Sequence, residues 1–434
     1  MDGGEDEGAT EESIPVVILD PGSWTVKMGV ATEEMPALQI PCLYVEYDLA
    51  SALCESFLQF EGGESRERGS HPIVDHFGLE AVEEYTRAKY EAAKLEGEEG
   101  DELLTVKMTF SDPRHPLSAN DFADLFQVYN YLVKRLHIRT GDYNLLVAIP
   151  EKVEKLFISN MLNWAFKTHQ FASISFIYNS LAASYYYGMR TALVVDLGES
   201  ASRVSPVAEN HGVFLNSAKN CEIGGYLITK YISNFVKLKD SHVDYTLVQN
   251  YKELNSYISL DIDRSIKMNS ECNGLLKPHK IPYSNIYIDP KAEMLSHEIY
   301  FQPEFLAHLP GYYYKQNVVP LSQLIFECVC SCPMDLRKEL MNNIVLVGGV
   351  SDCVNMHERL HNELVNILRL KNYSESTKVH VKNESMSNIA AYLGCRKYAK
   401  AICHNKNKWV TREDYLATAN AKVVQRLLMW ANVL

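Results

Sequence analysis

The chain has 434 residues, of which 47% are hydrophobic and 22% are charged, and its formal net charge at pH 7 is −13. That length is enough for two domains and a substantial core. The negative charge argues against a surface that binds nucleic acid nonspecifically, because such surfaces are basic, and we expect no direct sequence-specific nucleic-acid binding either.

The N-terminus begins with MDGGEDEGATEES, which is acidic and polar and therefore the opposite of a signal peptide. We expect residues 1–13 to form an acidic disordered tail. No run of eighteen or more apolar residues appears, so we expect no membrane span. The ten cysteines are scattered without metal-ligand spacing, which is typical of buried thiols in a reducing compartment.

The first predicted element is an apolar β-run that ends in a turn. The run VVILDPGS (16–23) stops at Asp20, and TVKMGV follows as a second β-like run, which predicts a hairpin with a carboxylate at the base of its tip. The backbone N–H groups at such a tip can face phosphate oxygens.

A second apolar run repeats this pattern later in the chain. ALVVDLGES (192–200) stops at Asp196 and is followed by SRVSPV, and a third run, NIVLVGGVS (343–351), ends in Gly348 and Gly349. Two hairpin tips that face each other can hold the phosphates of a nucleotide with Mg²⁺ between them. The repetition therefore predicts a nucleotide cleft between two related halves.

Motifs outside the hairpins now indicate a family. The chain resembles actin and the actin-related proteins along nearly its whole length, with DPGSWTVKMG similar to the first phosphate loop of actin and DLGESASRVSP similar to the second. YKELNSYISLD resembles the helix that carries a Lys-Glu pair at the nucleoside. Further segments follow in the order of actin: FQPEF, MDLRKEL, LVGGVS and WVTREDY. The resemblance implies an α/β, actin-like fold of two related halves with a nucleotide cleft between them.

The resemblance also implies a domain organisation. After the tail at 1–13, we expect a first half at 14–188, a second half at 189–388, and C-terminal helices at 389–434 that return to the first half. Residues 45–112 match poorly and are expected to form a divergent outer subdomain. Within it, LEAVEEYTRAKYEAAKL has apolar residues near helical spacing, and 91–104 is an acidic segment that we interpret as a solvated helix end and loop. Because no loop like the polymerisation loop of actin can be recognised there, we do not expect self-polymerisation.

The resemblance implies ATP or ADP with Mg²⁺ as the ligand of the cleft; we expect its binding to be altered, and weak or absent binding is the alternative. Asp20 and Asp196 would face the metal through water, because Mg²⁺ gives up its waters reluctantly. Lys27 would reach the phosphates as a point charge. The complete set of expected nucleotide-binding residues is Asp20, Gly22, Ser23, Lys27, Asp196, Gly198, Glu199, Gly225, Lys252, Glu253, Gly348 and Gly349.

Several positions depart from the family pattern at this site. The family usually has Gly-Asp-Gly where this chain reads Gly198-Glu199-Ser200, and Ser200 loses the conformational freedom of glycine. Cys353 stands where the family often has a tyrosine near the adenine, and Asn388 stands where a lysine usually lies over the base. Losing one such stacking or cation–π contact weakens binding by about 1 kcal/mol.

The two positions that arrange the attacking water in actin also differ. The matching residues are Asn179, in place of a glutamine, and Arg203, in place of a histidine. Asn179 can still hydrogen-bond water but is one methylene shorter, and the guanidinium of Arg203 does not accept a proton near neutral pH. We therefore expect a nucleotide-holding scaffold with weak or absent ATPase activity, and assign no catalytic residue.

A partner-binding groove is a further expectation from the resemblance, since the actin fold docks amphipathic helices between its first and third subdomains. Tyr185, Tyr186 and Tyr187 precede Gly188, and Trp409 follows near the C-terminus. Aromatic side chains combine a large buried area with a polar tip, which suits helix-in-groove binding. Ordinary core packing of the same residues remains the alternative.

Two functions remain open from sequence. The first is a non-catalytic scaffold subunit of a nuclear, ATP-dependent chromatin-remodelling complex, which binds a helix of the motor subunit and a second actin-related protein. The alternative is a cytoplasmic, cytoskeletal actin-related subunit such as the pointed-end cap of dynactin. Loss of the hydrolytic pair and of the polymerisation loop fits both functions. The family resemblance favours the first, because most divergent members that have lost hydrolysis belong to nuclear complexes, although no nuclear-localisation run of Lys and Arg stands out.

Overall fold

The computed structural model describes residues 14–47, 73–77, 104–108, 119–236, 245–271, 278–280, 286–309, 318–373, 377–418 and 420–432. The predicted tail at 1–13, the helical stretch at 79–95 and nearly all of the acidic segment at 91–104 lie outside these residues. The expectations for them stay predictions.

The described strands are, in chain order, β1 (Val16–Pro21), β2 (Thr25–Val30), β3 (Leu38–Pro41), β4 (Leu43–Tyr47), β5 (Ile73–Phe77), β6 (Leu104–Met108), β7 (Asn144–Ile149), β8 (Ser173–Tyr178), β9 (Ala192–Leu197), β10 (Ser202–Ala208), β11 (Gly212–Val213), β12 (Lys219–Cys221), β13 (His279–Lys280), β14 (Tyr287–Ile288), β15 (Ile344–Val347), β16 (Val381–Lys382) and β17 (Val410–Thr411).

The described α-helices are α1 (Ala119–Leu136), α2 (Lys155–Asn163), α3 (Asn179–Tyr187), α4 (Gly225–Ser233), α5 (Tyr245–Asn255), α6 (Ile262–Glu271), α7 (Lys291–Leu295), α8 (Leu321–Cys330), α9 (Met334–Asn342), α10 (Met356–Leu370), α11 (Ala390–Ile402), α12 (Arg412–Ala417) and α13 (Asn420–Trp430). A short π-helix at Trp164–Thr168 continues α2, and 3₁₀ turns occupy Glu298–Tyr300, Gly349–Asp352 and Ser387–Ile389. Within the described ranges, no helix combines the length and the hydropathy that crossing a membrane requires.

Two sheets share one construction, which confirms an α/β fold with two related sheet-containing halves. The first has the order β17-β8-β7-β1-β2-β3, and the second has β11-β10-β9-β15-β16, with β12 beside β10. In the first, β1 forms an antiparallel hairpin with β2 and runs parallel to β7. In the second, β9 forms an antiparallel hairpin with β10 and runs parallel to β15. Each hairpin therefore lies beside a parallel strand in the middle of its sheet.

The central strands owe their position to their composition. β7 (NLLVAI) and β8 (SISFIY) are buried at every residue, as expected of parallel strands that helices cover on both faces. On one face, α11 packs against α3 so closely that a Cβ on Gly394 would lie 1.7 Å from the carbonyl oxygen of Ala182. Only glycine permits that approach.

The C-terminal region joins the first sheet. β17 pairs with β8, and the described core residues from Ile389 onward cluster with β1, β7 and β8. A second core cluster surrounds the β9–β10 hairpin, α4, α8 and α10. β4, β5 and β6 form a separate three-stranded antiparallel sheet within the region that we expected to be an outer subdomain. The predicted domain boundaries themselves stay predictions.

Candidate functional site

A cavity of about 490 Å³ lies between the two hairpins. Every expected nucleotide-binding residue except Gly225 lines it, and so do four further residues that depart from the family pattern. The lining residues from the prediction are Asp20, Gly22, Ser23, Lys27, Asp196, Gly198, Glu199, Lys252, Glu253, Gly348 and Gly349, joined by Asn179, Arg203, Cys353 and Asn388.

The two hairpins present equivalent acid–base pairs. Asp20 lies opposite Lys27 in the β1–β2 register, and Asp196 lies opposite Arg203 in the β9–β10 register. Lys27 Nζ is 3.2 Å from Asp20 Oδ2, and Arg203 Nη1 is 3.4 Å from Asp196 Oδ2. Arg203 is therefore the counterpart of Lys27 in the second half. Sequence reasoning missed this, although each cation follows its aspartate by seven positions.

The carboxyl group of Asp196 is strongly perturbed. Burial raises its pKa from 3.8 to about 6, Arg203 opposes that effect, and the nearby Glu151 and Asp20 carboxylates reinforce it. Sequence reasoning did not single out Glu151, whose Oε1 accepts a hydrogen bond from Ser180 N at 3.2 Å near the start of α3. The concentration of negative charge is the electrostatic condition that favours a bound cation at this place.

The tips of the two hairpins touch each other. Ser23 Oγ and Ser200 Oγ lie 2.9 Å apart in a hydrogen bond that joins the halves. Gly348 closes the third turn with φ of +93°, and a Cβ there would lie 2.5 Å from Leu197 O and 2.8 Å from Asp196 Oδ1. Glycine is thus required at 348, because an L side chain would be strained and would press on the aspartate.

The end of the cavity where the resemblance places a nucleoside is organised by Lys252. Its Nζ lies 3.1 Å from Glu199 Oε2 and donates to Gly225 O at 3.0 Å, and the side chains of Lys252 and Glu199 are only 5% and 7% exposed. The neighbouring Glu253 accepts a hydrogen bond from Gln249 Nε2 at 2.7 Å. Gly225 lies behind this pair rather than at the cavity wall.

Two further groups complete this end. Burial raises the pKa of the Cys353 thiol to about 12, so it is uncharged and contributes neither charge nor an aromatic face. His297, which the sequence did not indicate, lines the cavity while almost fully buried, and its pKa is lowered from 6.5 to about 3, chiefly by burial and secondarily by Lys252. Its ring is therefore neutral.

Asn179 stands at the first residue of α3 and lines the cavity. Its Oδ1 is buried and, among the hydrogen bonds of the described chain, has no donor. An acceptor in that condition is a binding position for a water or a hydroxyl group.

The residues expected at a partner groove have other surroundings. Tyr185 stacks edge-on against Tyr398, with ring centroids 5.4 Å apart. Tyr186 Oη donates to Ser385 O at 2.7 Å, and Tyr187 Oη donates to Leu346 O at 2.8 Å. These hydroxyl groups connect α3 of the first half to the second half.

The remaining two groove residues serve the fold. Gly188 ends α3 with φ of +65°, the left-handed conformation that suits a helix C-terminus. Trp409 is 5% exposed and donates from Nε1 to Ile402 O at 3.1 Å. The ring belongs to the core cluster, and the expectation that its indole contributes to a partner groove stays a prediction.

The family model described as Actin matches residues 11–246 and 240–427. The chain belongs to the actin family. Curated relatives include proteins named Actin-related protein 2 from Arabidopsis thaliana, 22% identical over 421 residues that cover 92% of this chain and 95% of the relative, and from Schizosaccharomyces pombe (strain 972 / ATCC 24843), 23% identical over 425 residues that cover 93% and 96%. The resemblance stated from the sequence is confirmed, and so is the fold class.

The group that the family implies, ATP or ADP with Mg²⁺, fits one end of the site. Asp20 and Asp196 offer the oxygen ligands that Mg²⁺ prefers, and Lys27 and Arg203 offer charge to phosphates. A Cβ built on Gly349 would meet nothing within 4 Å, which leaves room at the third turn. When bound, the metal would neutralise phosphate charge, and Lys27 and Arg203 would help to orient the phosphates.

Proposed function

We propose that this protein is a non-catalytic, nucleotide-holding scaffold subunit of a multiprotein assembly. The observation that carries the proposal is the Asp196–Arg203 pair, 3.4 Å apart, at the place where the family resemblance puts a water-orienting histidine. A guanidinium has five donors and no acceptor, so Arg203 binds anions but takes no proton from water.

The Asp196–Arg203 pair affects the rate at which a water could attack a phosphate. General acid–base groups contribute about 10²–10⁴-fold to a rate. With Arg203 paired to Asp196, Asn179 Oδ1 is the acceptor that remains at the matching pair of positions. One amide oxygen orients a water but does not remove its proton, and phosphoryl transfer depends chiefly on positioning and charge stabilisation.

The test is a phosphate-release assay on the purified full chain with ATP and Mg²⁺. We expect a rate no faster than background for the wild type and for Asp196→Ala alike. The matched preparation control is Glu209→Gln, at an exposed pair with Arg190 outside the cavity. Robust turnover in the wild type and Glu209→Gln that vanishes in Asp196→Ala would refute the scaffold proposal.

The finer proposal concerns the assembly. We propose a nuclear chromatin-remodelling complex in which the chain binds a helix of the motor subunit and a second actin-related protein. Support comes from the altered positions Asn179 and Arg203 and from the divergent region at 45–112. The relatives' name, Actin-related protein 2, specifies neither kind of assembly, so the cytoplasmic, cytoskeletal subunit remains the alternative. Identification of the proteins that copurify with the chain separates the two.

A further inference from the structure

The side chain of Glu199 occupies a space that only a glycine at position 225 makes available. A Cβ on Gly225 would lie 2.0 Å from Glu199 Oε2 and 2.9 Å from Lys252 Nζ. The carboxylate therefore lies directly against the backbone of Gly225, where its charge meets the ammonium group at 3.1 Å. Family resemblance assigned both Gly225 and Lys252 to the approach of a nucleotide.

The loop that carries Glu199 makes a second side-chain contact with a residue that we expected to face a nucleotide. Ser200, the next residue, is hydrogen-bonded through Oγ to Ser23 Oγ at 2.9 Å, across the gap between the two hairpin tips. Glu199 and Ser200 are the two positions at which this chain departs from the Gly-Asp-Gly pattern. Both substituted side chains thus bind groups that face a nucleotide in the family.

The Glu199 contact is well shielded from solvent. Its two side chains are 7% and 5% exposed, so salt screens the attraction little and the pair does not exchange freely with water. Lys252 Nζ has a further acceptor in Gly225 O at 3.0 Å. A ligand that uses Lys252 must therefore displace a protein carboxylate, and one that brings phosphates must also tolerate its negative charge.

We propose that Glu199 is an internal competitor for nucleotide: its carboxylate occupies Lys252 and the space beside Gly225, and nucleotide binds only when this contact opens. The proposal rests on the nucleotide-holding role of the cleft. It makes Glu199 an affinity-determining residue, and it predicts that shortening or neutralising this one side chain strengthens binding of ATP.

The decisive variant is Glu199→Asp, which keeps the charge but withdraws the carboxylate by one methylene. We expect calorimetric titration of the full chain with ATP and Mg²⁺ to give about tenfold tighter binding than the wild type. Urea unfolding without nucleotide should show a lower midpoint, because the buried Lys252 loses its carboxylate partner. A residue with a merely structural role would lower stability and affinity together, so the opposite signs identify competition.

Controls keep the result interpretable. Glu209→Asp makes the same chemical change at an exposed ion pair and should alter neither readout. Glu199→Gln, which keeps the shape and removes the charge, replaces the first variant if that one fails to fold, with the same expected tightening. Unchanged or weaker ATP binding in the folded variant would overturn the proposal, as would no detectable binding by wild type and variant. Neither of these binding results bears on the expected absence of ATP hydrolysis. Robust ATP turnover, in contrast, would refute the scaffold proposal but not the proposal that Glu199 competes with nucleotide.

Discussion

Removing one hydroxyl group, in Tyr187→Phe, should loosen the contact between the two halves. Tyr187 Oη donates to Leu346 O in β15 at 2.8 Å and accepts from Glu384 N at 3.2 Å. Burial is the largest of the effects that raise the pKa of this phenol to about 12, so it is a neutral donor at assay pH. The phenylalanine variant leaves a backbone carbonyl and an N–H group without this partner.

The magnitude follows from the two hydrogen bonds. A net contribution of about 0.5–1.5 kcal/mol each gives a loss of about 1–3 kcal/mol in the free energy of unfolding. The neighbouring Tyr186→Phe is a matched control, because Tyr186 Oη makes one bond, to Ser385 O, in a more exposed setting. For that variant we expect a loss of about 0.5 kcal/mol.

Two assays measure the effect. Urea unfolding gives the free energies, and amide hydrogen exchange should show faster exchange at Glu384 and in neighbouring β15 and β16 for Tyr187→Phe than for Tyr186→Phe. An equal or larger loss for Tyr186→Phe, or unchanged exchange at Glu384, would refute the interpretation that Tyr187 joins the halves.

Two other predictions concern buried ionisable groups. Glu298 and Arg359 form a buried ion pair at 3.0 Å. Arg359→Met should lower the free energy of unfolding by about 3–5 kcal/mol because it leaves the Glu298 carboxylate buried without its cation, whereas the double variant Glu298→Met/Arg359→Met should lower it much less. An equal loss in the single and the double variant would contradict this. The pKa of His297 is lowered from 6.5 to about 3, so the unfolded chain binds a proton that the folded chain does not, and this group's contribution to stability is lost as pH falls below 6.5. At about 1.4 kcal/mol per pH unit, the wild type should lose about 2 kcal/mol more than His297→Gln between pH 6.5 and 5, and parallel urea-unfolding profiles would show that the imidazole does not contribute.

The sequence was sufficient for the parts of the site that short-range patterns encode. An apolar run that ends at an aspartate before a glycine turn predicts a hairpin, and two such runs placed Asp20 and Asp196 at one cavity. Lys252 and Glu253 were found through resemblance to a helix motif, and they line the same cavity. Local pattern and motif order were enough because backbone geometry positions these residues.

The contacts between distant side chains could not be predicted in this way. Glu199 meets Lys252 across 53 residues within the second half, and Tyr187 meets Leu346 across 159 residues between the halves, so each pairing depends on tertiary packing. Tryptophan is a residue type that is common at interfaces, yet Trp409 lies in the core because β17 pairs with β8. The equivalence of Lys27 and Arg203 was readable from their spacing, but only the strand register gave that spacing a meaning.

The central claim is that this chain acts as a scaffold subunit within an assembly. The most direct measurement is mild affinity purification of the tagged endogenous protein, with mass spectrometry of the bound proteins. We predict a stable complex that contains a second actin-related protein and the motor subunit of a chromatin remodeller. Recovery of the chain alone, or only with further copies of itself, would contradict the scaffold account, and recovery with subunits of a short actin-like filament would replace the chromatin assignment with the cytoskeletal one.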